Sequence, residues 1–169
     1  LIDMRANRKE AKERMHLDLE KKCVLIVGGS LGARSINEAV MANIELIREN
    51  SNIEFIWQTG KLYFEEMEKR VAKADKPKNL IVTDFVSNMA DALSAANLVV
   101  SRAGAGSISE FALLGKAVIL VPSPNVSEDH QTKNAMALVK KNAAIYIADS
   151  EASNKLVRTA INTVNDETK

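Results

Sequence analysis

A strand, a glycine-rich turn and a helix follow one another between residues 23 and 34, and this arrangement limits the fold more than any other feature. Residues 23–27 are apolar and rich in β-branched side chains, as in a buried strand. Small residues follow at once, namely Gly28, Gly29, Ser30 and Gly32. Such a turn directs backbone N–H groups and a positive helix end at an anion, usually a phosphate. The segment predicts a nucleotide-binding α/β domain, and a tight turn without a ligand is the alternative.

The composition is that of an ordinary globular domain. Of the 169 residues, 46% are hydrophobic and 27% are charged, and the net charge of +1 gives no electrostatic sign of a nucleic-acid partner. The single cysteine, Cys23, excludes an internal disulfide. We find neither a bilayer-spanning run nor a secretory leader and expect a cytoplasmic protein. The start without Met and the polar tail predict a piece of a longer protein.

Apolar runs and helical patterns alternate along the rest of the chain. Strands are predicted at 24–27, 53–57, 80–82, 98–101, 117–121 and 144–147. Helices are predicted at 35–49, 62–74, 88–95, 107–114, 129–141 and 154–164. This alternation predicts an α/β fold with a doubly wound, parallel, Rossmann-like sheet of about six strands. Residues 1–22 are expected to form a charged linker or solvated helix that leads into a domain at 23–169.

Two familiar nucleotide-binding motifs do not occur in this sequence. The first loop departs from G-x-G-x-x-G, and the second strand runs into Trp57, Gln58 and Thr59 without an acidic residue for a ribose. No G-x-x-x-x-G-K-[ST] segment is found either. The sequence therefore argues against a dinucleotide-binding enzyme and against a P-loop enzyme.

A second glycine turn lies at residues 101–110, again between a predicted strand and a predicted helix. Its backbone N–H groups could hold a diphosphate, and Glu110 could accept hydrogen bonds from a ribose diol. Ser107 and Glu110 also have the spacing of a capping box, which satisfies helix N–H groups without any ligand. The spacing alone favours neither ligand binding nor helix capping.

A third polar cluster opens the helix predicted at 129–141. Gln131 and Asn134 are three residues apart and share one face, and their amides suit sugar hydroxyls. Capping of an exposed helix by Asp129 is the alternative. His130 could act as a base or a ligand, but with only one other histidine in the chain no metal site is expected.

These three clusters, in this order and spacing, resemble the C-terminal half of the MurG family of peptidoglycan glycosyltransferases. The matching segments are residues 28–34, 57–61, 84–89, 101–110 and 129–135. The resemblance implies the GT-B architecture, in which two Rossmann-like halves face each other across a cleft. It also implies that this half binds UDP-N-acetylglucosamine, the sugar donor. The intact hexosyltransferase would pass N-acetylglucosamine to a lipid-linked muramyl-pentapeptide, converting lipid I to lipid II.

The resemblance also carries donor-binding roles over to particular positions. Ser30 would lie near the diphosphate and the sugar, with Gly29 and Gly32 as further candidates. The backbone of Val86 would meet the uracil, with Met89 close by. The remaining implied contacts are Ala105, Gly106 and Ser107 at the diphosphate, Glu110 at the ribose, Gln131 and Asn134 at the sugar hydroxyls, and His130 as a further candidate.

Other parts of the intact enzyme are implied to lie outside this chain. The catalytic base and the acceptor-binding half, which would meet the lipid-linked substrate at the cytoplasmic membrane surface, are expected in an absent N-terminal domain. No catalytic residue is therefore assigned here. No metal or cofactor is expected, since UDP-N-acetylglucosamine is a substrate. By itself the chain is expected to bind the sugar donor without transferring the sugar.

Two other functions fit the same residues. The donor half of another GT-B enzyme, such as a UDP-sugar epimerase or a natural-product glycosyltransferase, would share the fold and the nucleotide loops. A non-catalytic nucleotide-binding domain is the second. Discrimination between UDP-N-acetylglucosamine and UDP-glucose would count against the non-catalytic domain.

Overall fold

One parallel sheet organises the chain, whose computed structural model describes residues 10–13, 17, 20–27, 34–84, 92, 95–101, 117–121, 145–147 and 151–165. The strands within these residues are β1 (Lys22–Val27), β2 (Ile53–Gln58), β3 (Leu80–Thr83), β4 (Leu98–Ser101), β5 (Ala117–Leu120) and β6 (Ile145–Tyr146). Their order across the sheet is β3-β2-β1-β4-β5-β6, and every neighbouring pair is parallel. The predicted α/β fold with a doubly wound parallel sheet is confirmed.

The centre of the sheet lies between β1 and β4, where the winding changes direction. Val24 of β1 pairs with Phe55 of β2 on one side and with Leu98 of β4 on the other. In open α/β sheets the crevice at this switch point, beyond the carboxyl ends of the strands, is where ligands bind. Both glycine turns of the sequence follow these two strands, since β1 ends at Val27 and β4 ends at Ser101.

The helices that the structure describes over their whole length are α1 (Arg34–Ala42), α2 (Ile44–Glu49), α3 (Phe64–Lys73) and α4 (Ala152–Asn165), and residues 10–13 are also helical. The prediction of one helix over 35–49 is wrong, because the chain breaks at Asn43 into α1 and α2. Asn43 Nδ2 donates to the carbonyl of Ala39 and to that of Ser153 in α4, both at 2.8 Å. Asparagine side chains compete in this way for backbone groups and interrupt helices.

Several element boundaries differ from those predicted. Residues 61–63 form a turn, so α3 begins at Phe64, and α4 begins two residues earlier than predicted. The last strand covers two residues instead of four. Most of the helix predicted at 88–95 and all of those at 107–114 and 129–141 lie outside the described residues.

The core has two layers, one on each face of the sheet. Side chains of β1 alternate between them, with Val24 and Ile26 in one layer and Leu25 and Val27 in the other. The first layer contains Ile53, Phe55 and Trp57 of β2 together with residues from α1, α2, α3 and α4. Burial on both faces explains why β1 reads as an unbroken apolar run.

Part of the segment before β1 belongs to the second core layer. Ala11 and Leu17 are buried there beside Leu25. Lys12 is also buried, and its Nζ donates to the carbonyl of Lys21. The expectation of a solvated segment is therefore wrong at these residues. The segment is rich in charged residues, but a few of its apolar side chains pack against the sheet.

Candidate functional site

The carboxyl edge of the sheet is the candidate site, because both glycine turns leave the sheet there. The residues predicted to contact the sugar donor lie outside the described residues: Gly29, Ser30, Gly32, Val86, Met89, Ala105, Gly106, Ser107, Glu110, His130, Gln131 and Asn134. Their roles stay predictions. The structure does describe the strand ends that precede the glycine-rich segments, and the start of α1, which follows the first of them.

The loop after β2 is fixed to the loop after β3. Thr59 N donates to the carbonyl of Thr83 at 2.9 Å, and Gly60 N donates to that of Asp84 at 3.1 Å, so the pairing of the two strands continues past their ends. The Thr59 hydroxyl donates to the carbonyl of Gly60 at 3.0 Å. Gly60 has φ of 86°, a left-handed conformation that glycine adopts without a steric penalty. These bonds connect residues 59–60 to residues 83–84.

The first turn of α1 is attached to the same loop by one buried amide. Asn37 Oδ1 accepts a hydrogen bond from the indole Nε1 of Trp57 at 2.9 Å, and its Nδ2 donates to the carbonyl of Thr59 at 3.0 Å. Asn37, Trp57 and Thr59 are all fully buried. Burial of an amide is tolerated when its oxygen and nitrogen both have partners, as here.

A cluster of charged side chains lies on the outer surface of α1 and α3. Arg34 packs over the Tyr63 ring, with its guanidinium carbon 5.1 Å from the ring centroid, and lies 3.9 Å from the Glu66 carboxylate. Arg70 pairs with Glu38 and lies 3.6 Å from Glu66. The hydrogen bond with Glu38 raises the pKa of Arg70 above its ordinary value, and the ion pair connects α3 to α1.

An open groove of about 440 Å³ lies elsewhere, on the flank of the sheet between α3 and the strand β3. Val71 and Ala72 of α3 line one side, and Ile81 and Val82 of β3 line the other. It is separate from the strand ends that flank the glycine turns.

The described residues at the carboxyl edge offer amides, hydroxyls and backbone groups. Gln58, Thr59 and Ser101 are buried polar residues at the ends of β2 and β4. Within the described ranges, no group of three or more His, Cys, Asp or Glu side chains is placed to hold a metal ion.

Sequence reasoning missed Asn37. It lies on the buried face of α1 beside Ile36 and three residues before Val40. An asparagine at an apolar position of a helix is the signal that could have identified it, because such a side chain must find buried partners.

A parallel α/β sheet whose two central strands each run into a glycine-rich segment defines a Rossmann-like domain, the class of fold in which ligands bind at the carboxyl edge. Residues 23–169 match the glycosyltransferase family 28 C-terminal domain, and the chain belongs to that family. None of the described helices combines the length and the apolar composition needed to cross a bilayer.

Similar proteins and a solved structure support the assignment of the chain to this family. A transferase from Bacteroides fragilis is 56% identical over 97% of this chain and 43% of its own length. One from Bacteroides thetaiotaomicron is 60% identical over 91% of this chain and 41% of its own length. Both are named UDP-N-acetylglucosamine–N-acetylmuramyl-(pentapeptide) pyrophosphoryl-undecaprenol N-acetylglucosamine transferase.

The crystal structure of Acinetobacter baumannii MurG superposes on this chain with a TM-score of 0.71 at 32% identity, covering 94% of this chain and 46% of MurG. The predicted resemblance to the C-terminal half of the MurG family is confirmed. The chain spans less than half the length of the relatives that it matches.

Proposed function

We propose that this chain is the sugar-donor-binding domain of an inverting glycosyltransferase that moves N-acetylglucosamine from UDP-N-acetylglucosamine to a lipid-linked muramyl-pentapeptide. The observation that carries the proposal is 56–60% identity, over more than nine-tenths of the chain, to transferases named for this reaction. The rest of such an enzyme would bind the acceptor at the cytoplasmic membrane surface. No nucleic acid, metal or cofactor is part of the proposal.

The binding roles follow the order of the segments along the carboxyl edge. Backbone N–H groups of Ala105, Gly106 and Ser107 would contact the diphosphate, where fixed dipoles stabilise the charge that develops on the leaving group. Glu110 would accept hydrogen bonds from the ribose hydroxyls. The remaining proposed contacts are Ser30 near the diphosphate and sugar, with Gly29 and Gly32 beside it, Val86 and Met89 at the uracil, and Gln131, Asn134 and His130 at the sugar.

The reaction itself needs groups from both halves of the intact enzyme. A base in the acceptor half would take the proton of the acceptor 4-hydroxyl. The oxygen would then form a bond to the anomeric carbon while the bond to UDP breaks, and UDP would leave with the electron pair. Attack from the face opposite UDP inverts the anomeric configuration. This chain alone would bind the sugar donor and transfer nothing.

Calorimetric titration of the chain with UDP-N-acetylglucosamine, UDP, UDP-glucose and NAD tests the proposal. We expect both UDP and UDP-N-acetylglucosamine to bind, UDP-glucose to bind more weakly and NAD not to bind. A ligand that binds only the folded state also raises stability by RT ln(1 + [L]/Kd), so a thermal shift should accompany each binding event. Binding of NAD alone, or of no uridine nucleotide, would refute the proposal.

Another GT-B donor half, such as that of a UDP-sugar epimerase or a natural-product glycosyltransferase, would share the fold and the nucleotide loops, and the acceptor half of the intact enzyme would distinguish it. If the chain were a non-catalytic nucleotide-binding domain, it would bind UDP-N-acetylglucosamine and UDP-glucose with equal affinity. The variant Glu110→Ala should weaken UDP as well as UDP-N-acetylglucosamine, because the ribose is common to both.

A further inference from the structure

The side of the sheet formed by β3 is covered by the chain segment that precedes the strand, residues 74–79, which we name the edge segment. We propose that the edge segment, through the Lys76 side chain, prevents a second copy of the chain from adding a strand to β3. The inference does not depend on the proposed function, because it concerns self-association of the chain and involves no ligand.

The strand β3 has the properties of a strand that pairs readily with another. Its four residues, Leu80–Thr83, are apolar or β-branched. Among the described strands it pairs with β2 alone, and its Ile81 is 37% exposed. The backbone N–H and carbonyl groups on the outer side of such a strand are a template for pairing with another chain. A strand of this kind therefore needs protection.

Hydrogen bonds show which backbone groups of β3 face outward. The carbonyls of Asn79 and Thr83 accept from backbone N–H groups of β2 and of the loop after it, at 2.8 and 2.9 Å. Backbone groups of successive residues in a strand point in opposite directions, so Leu80 and Val82 face away from β2. A strand added to β3 would have to bond to these two residues.

Both backbone groups of Leu80 already have partners in the edge segment. Leu80 N donates to the carbonyl of Pro77 at 3.2 Å, and the Leu80 carbonyl accepts from Lys76 Nζ at 2.7 Å. The bond from the lysine is charge-assisted, which makes it stronger than one between neutral groups. Pro77 has no N–H that an added strand could use. A strand cannot pair with Leu80 without breaking these bonds.

Contacts on both sides of Lys76 hold the edge segment in place. Arg48 of α2 donates to the carbonyls of Ala74 and Asp75. At the other end, Asn79 is buried, and its Nδ2 lies 2.8 to 3.1 Å from three carbonyls. These acceptors belong to Ile47, Asn50 and Ile53. The backbone that carries Lys76 is thus attached to α2 and β2, and the ammonium group lies against β3.

Two free-energy costs oppose the addition of a strand. The incoming strand must break the bond between Lys76 and the Leu80 carbonyl. It also removes water from a charged ammonium group, which is unfavourable unless the group finds a new partner. Methionine has a side chain of similar length but neither the charge nor the donor, so Lys76→Met should leave this side of the sheet open.

The variant Lys76→Met tests the inference, and Lys78→Met is its matched control. Lys78 is exposed in the same segment, so the control makes the same substitution and the same change in net charge. Sedimentation equilibrium over a series of concentrations should give the mass of one chain for the unaltered protein and for Lys78→Met. The mass of Lys76→Met should rise with concentration toward twice that value. A single-chain mass for Lys76→Met, or equal association of both variants, would overturn the inference.

Hydrogen–deuterium exchange and a second substitution show where the copies meet. Amides of Leu80–Thr83 should exchange more slowly as the concentration of Lys76→Met rises, and association without this protection would overturn the inference. Adding Ile81→Lys to Lys76→Met places a charge on the strand itself and should restore the single-chain mass. Association caused by misfolding would persist in the double variant, and that result would also overturn the inference.

Discussion

Asparagines at the amino edge of the sheet show how single side chains complete the backbone hydrogen bonding. Asn79 serves three carbonyls, and Asn97 Oδ1 accepts a hydrogen bond from Cys23 N at 2.9 Å where β1 begins. The first residues of a strand have few backbone partners, so a side-chain amide supplies them. Removing such an amide leaves buried groups unpaired, which costs more than the bond itself contributes.

Replacement of Asn79 by Ala should therefore lower the free energy of unfolding by about 2 kcal/mol. Urea denaturation measures this change. The control is Asn52→Ala, because Asn52 is exposed and makes one 3.4 Å contact with Asn165. That control should stay within about 0.5 kcal/mol of the unaltered chain. Similar losses in the two variants would contradict the role given to the buried amide.

At the scale of elements, a side chain of the neighbouring helix α2 binds carbonyl groups just after the end of α3. Arg48 of α2 donates from Nη2 to the carbonyl of Ala74 at 2.7 Å and also to that of Asp75. Asp75 follows in the left-handed region with φ of 62°. Glycine is the residue that helix ends prefer in this conformation, since a Cβ is disfavoured there. The end of α3 is therefore less stable than it could be.

The substitution Asp75→Gly should raise the free energy of unfolding by about 0.5 kcal/mol, because relief of the Cβ penalty exceeds the entropy that glycine adds to the unfolded chain. The midpoint of urea unfolding reports it. Asparagine also tolerates the left-handed region, so Asp75→Asn should leave stability unchanged. A loss of stability in Asp75→Gly would show that the carboxylate itself stabilises the native state.

The elements also show which features the sequence could reveal. The strands were predicted at the right places, because β-branched apolar runs such as that of β1 are a local signal. The break at Asn43 was not predicted, since the apolar positions Ile36, Val40, Ile44 and Ile47 continue with helical spacing across it. The break depends on a bond to Ser153, a residue that is distant in sequence.

At the scale of the whole molecule, β1 is the element on which the others depend. It pairs with β2 and β4 and is buried against both core layers. In contrast, β3 pairs with β2 alone among the described strands, and its Ile81 is exposed. Local opening is easiest where backbone hydrogen bonds face solvent and few apolar contacts are made.

Native-state hydrogen exchange should reflect this difference. Amides of β1 should exchange only through global unfolding, with rates that follow the denaturant dependence of the whole chain. Amides of β3 should exchange through smaller openings and therefore faster. Mass spectrometry of peptides that cover Lys22–Val27 and Leu80–Thr83 would measure both. Equal protection of the two strands would contradict the arrangement described here.

The site was less accessible to sequence reasoning than the fold. The glycine turns after β1 and β4 pointed to the carboxyl edge, because the position of a turn after a strand is local information. The bond between Asn37 and Trp57 is a tertiary contact, and no sequence spacing announces it. The donor-contacting residues inferred from the family resemblance remain predictions.

Trp57 is the only tryptophan of the chain and sits buried at the end of β2, with its indole bound to the first turn of α1. The protein therefore contains one indole fluorophore, located at the edge of the sheet where the glycine-rich segments begin. Its emission responds to the polarity and hydration of that edge. Rearrangements there can thus be followed optically in the unlabelled protein, in real time and at low concentration.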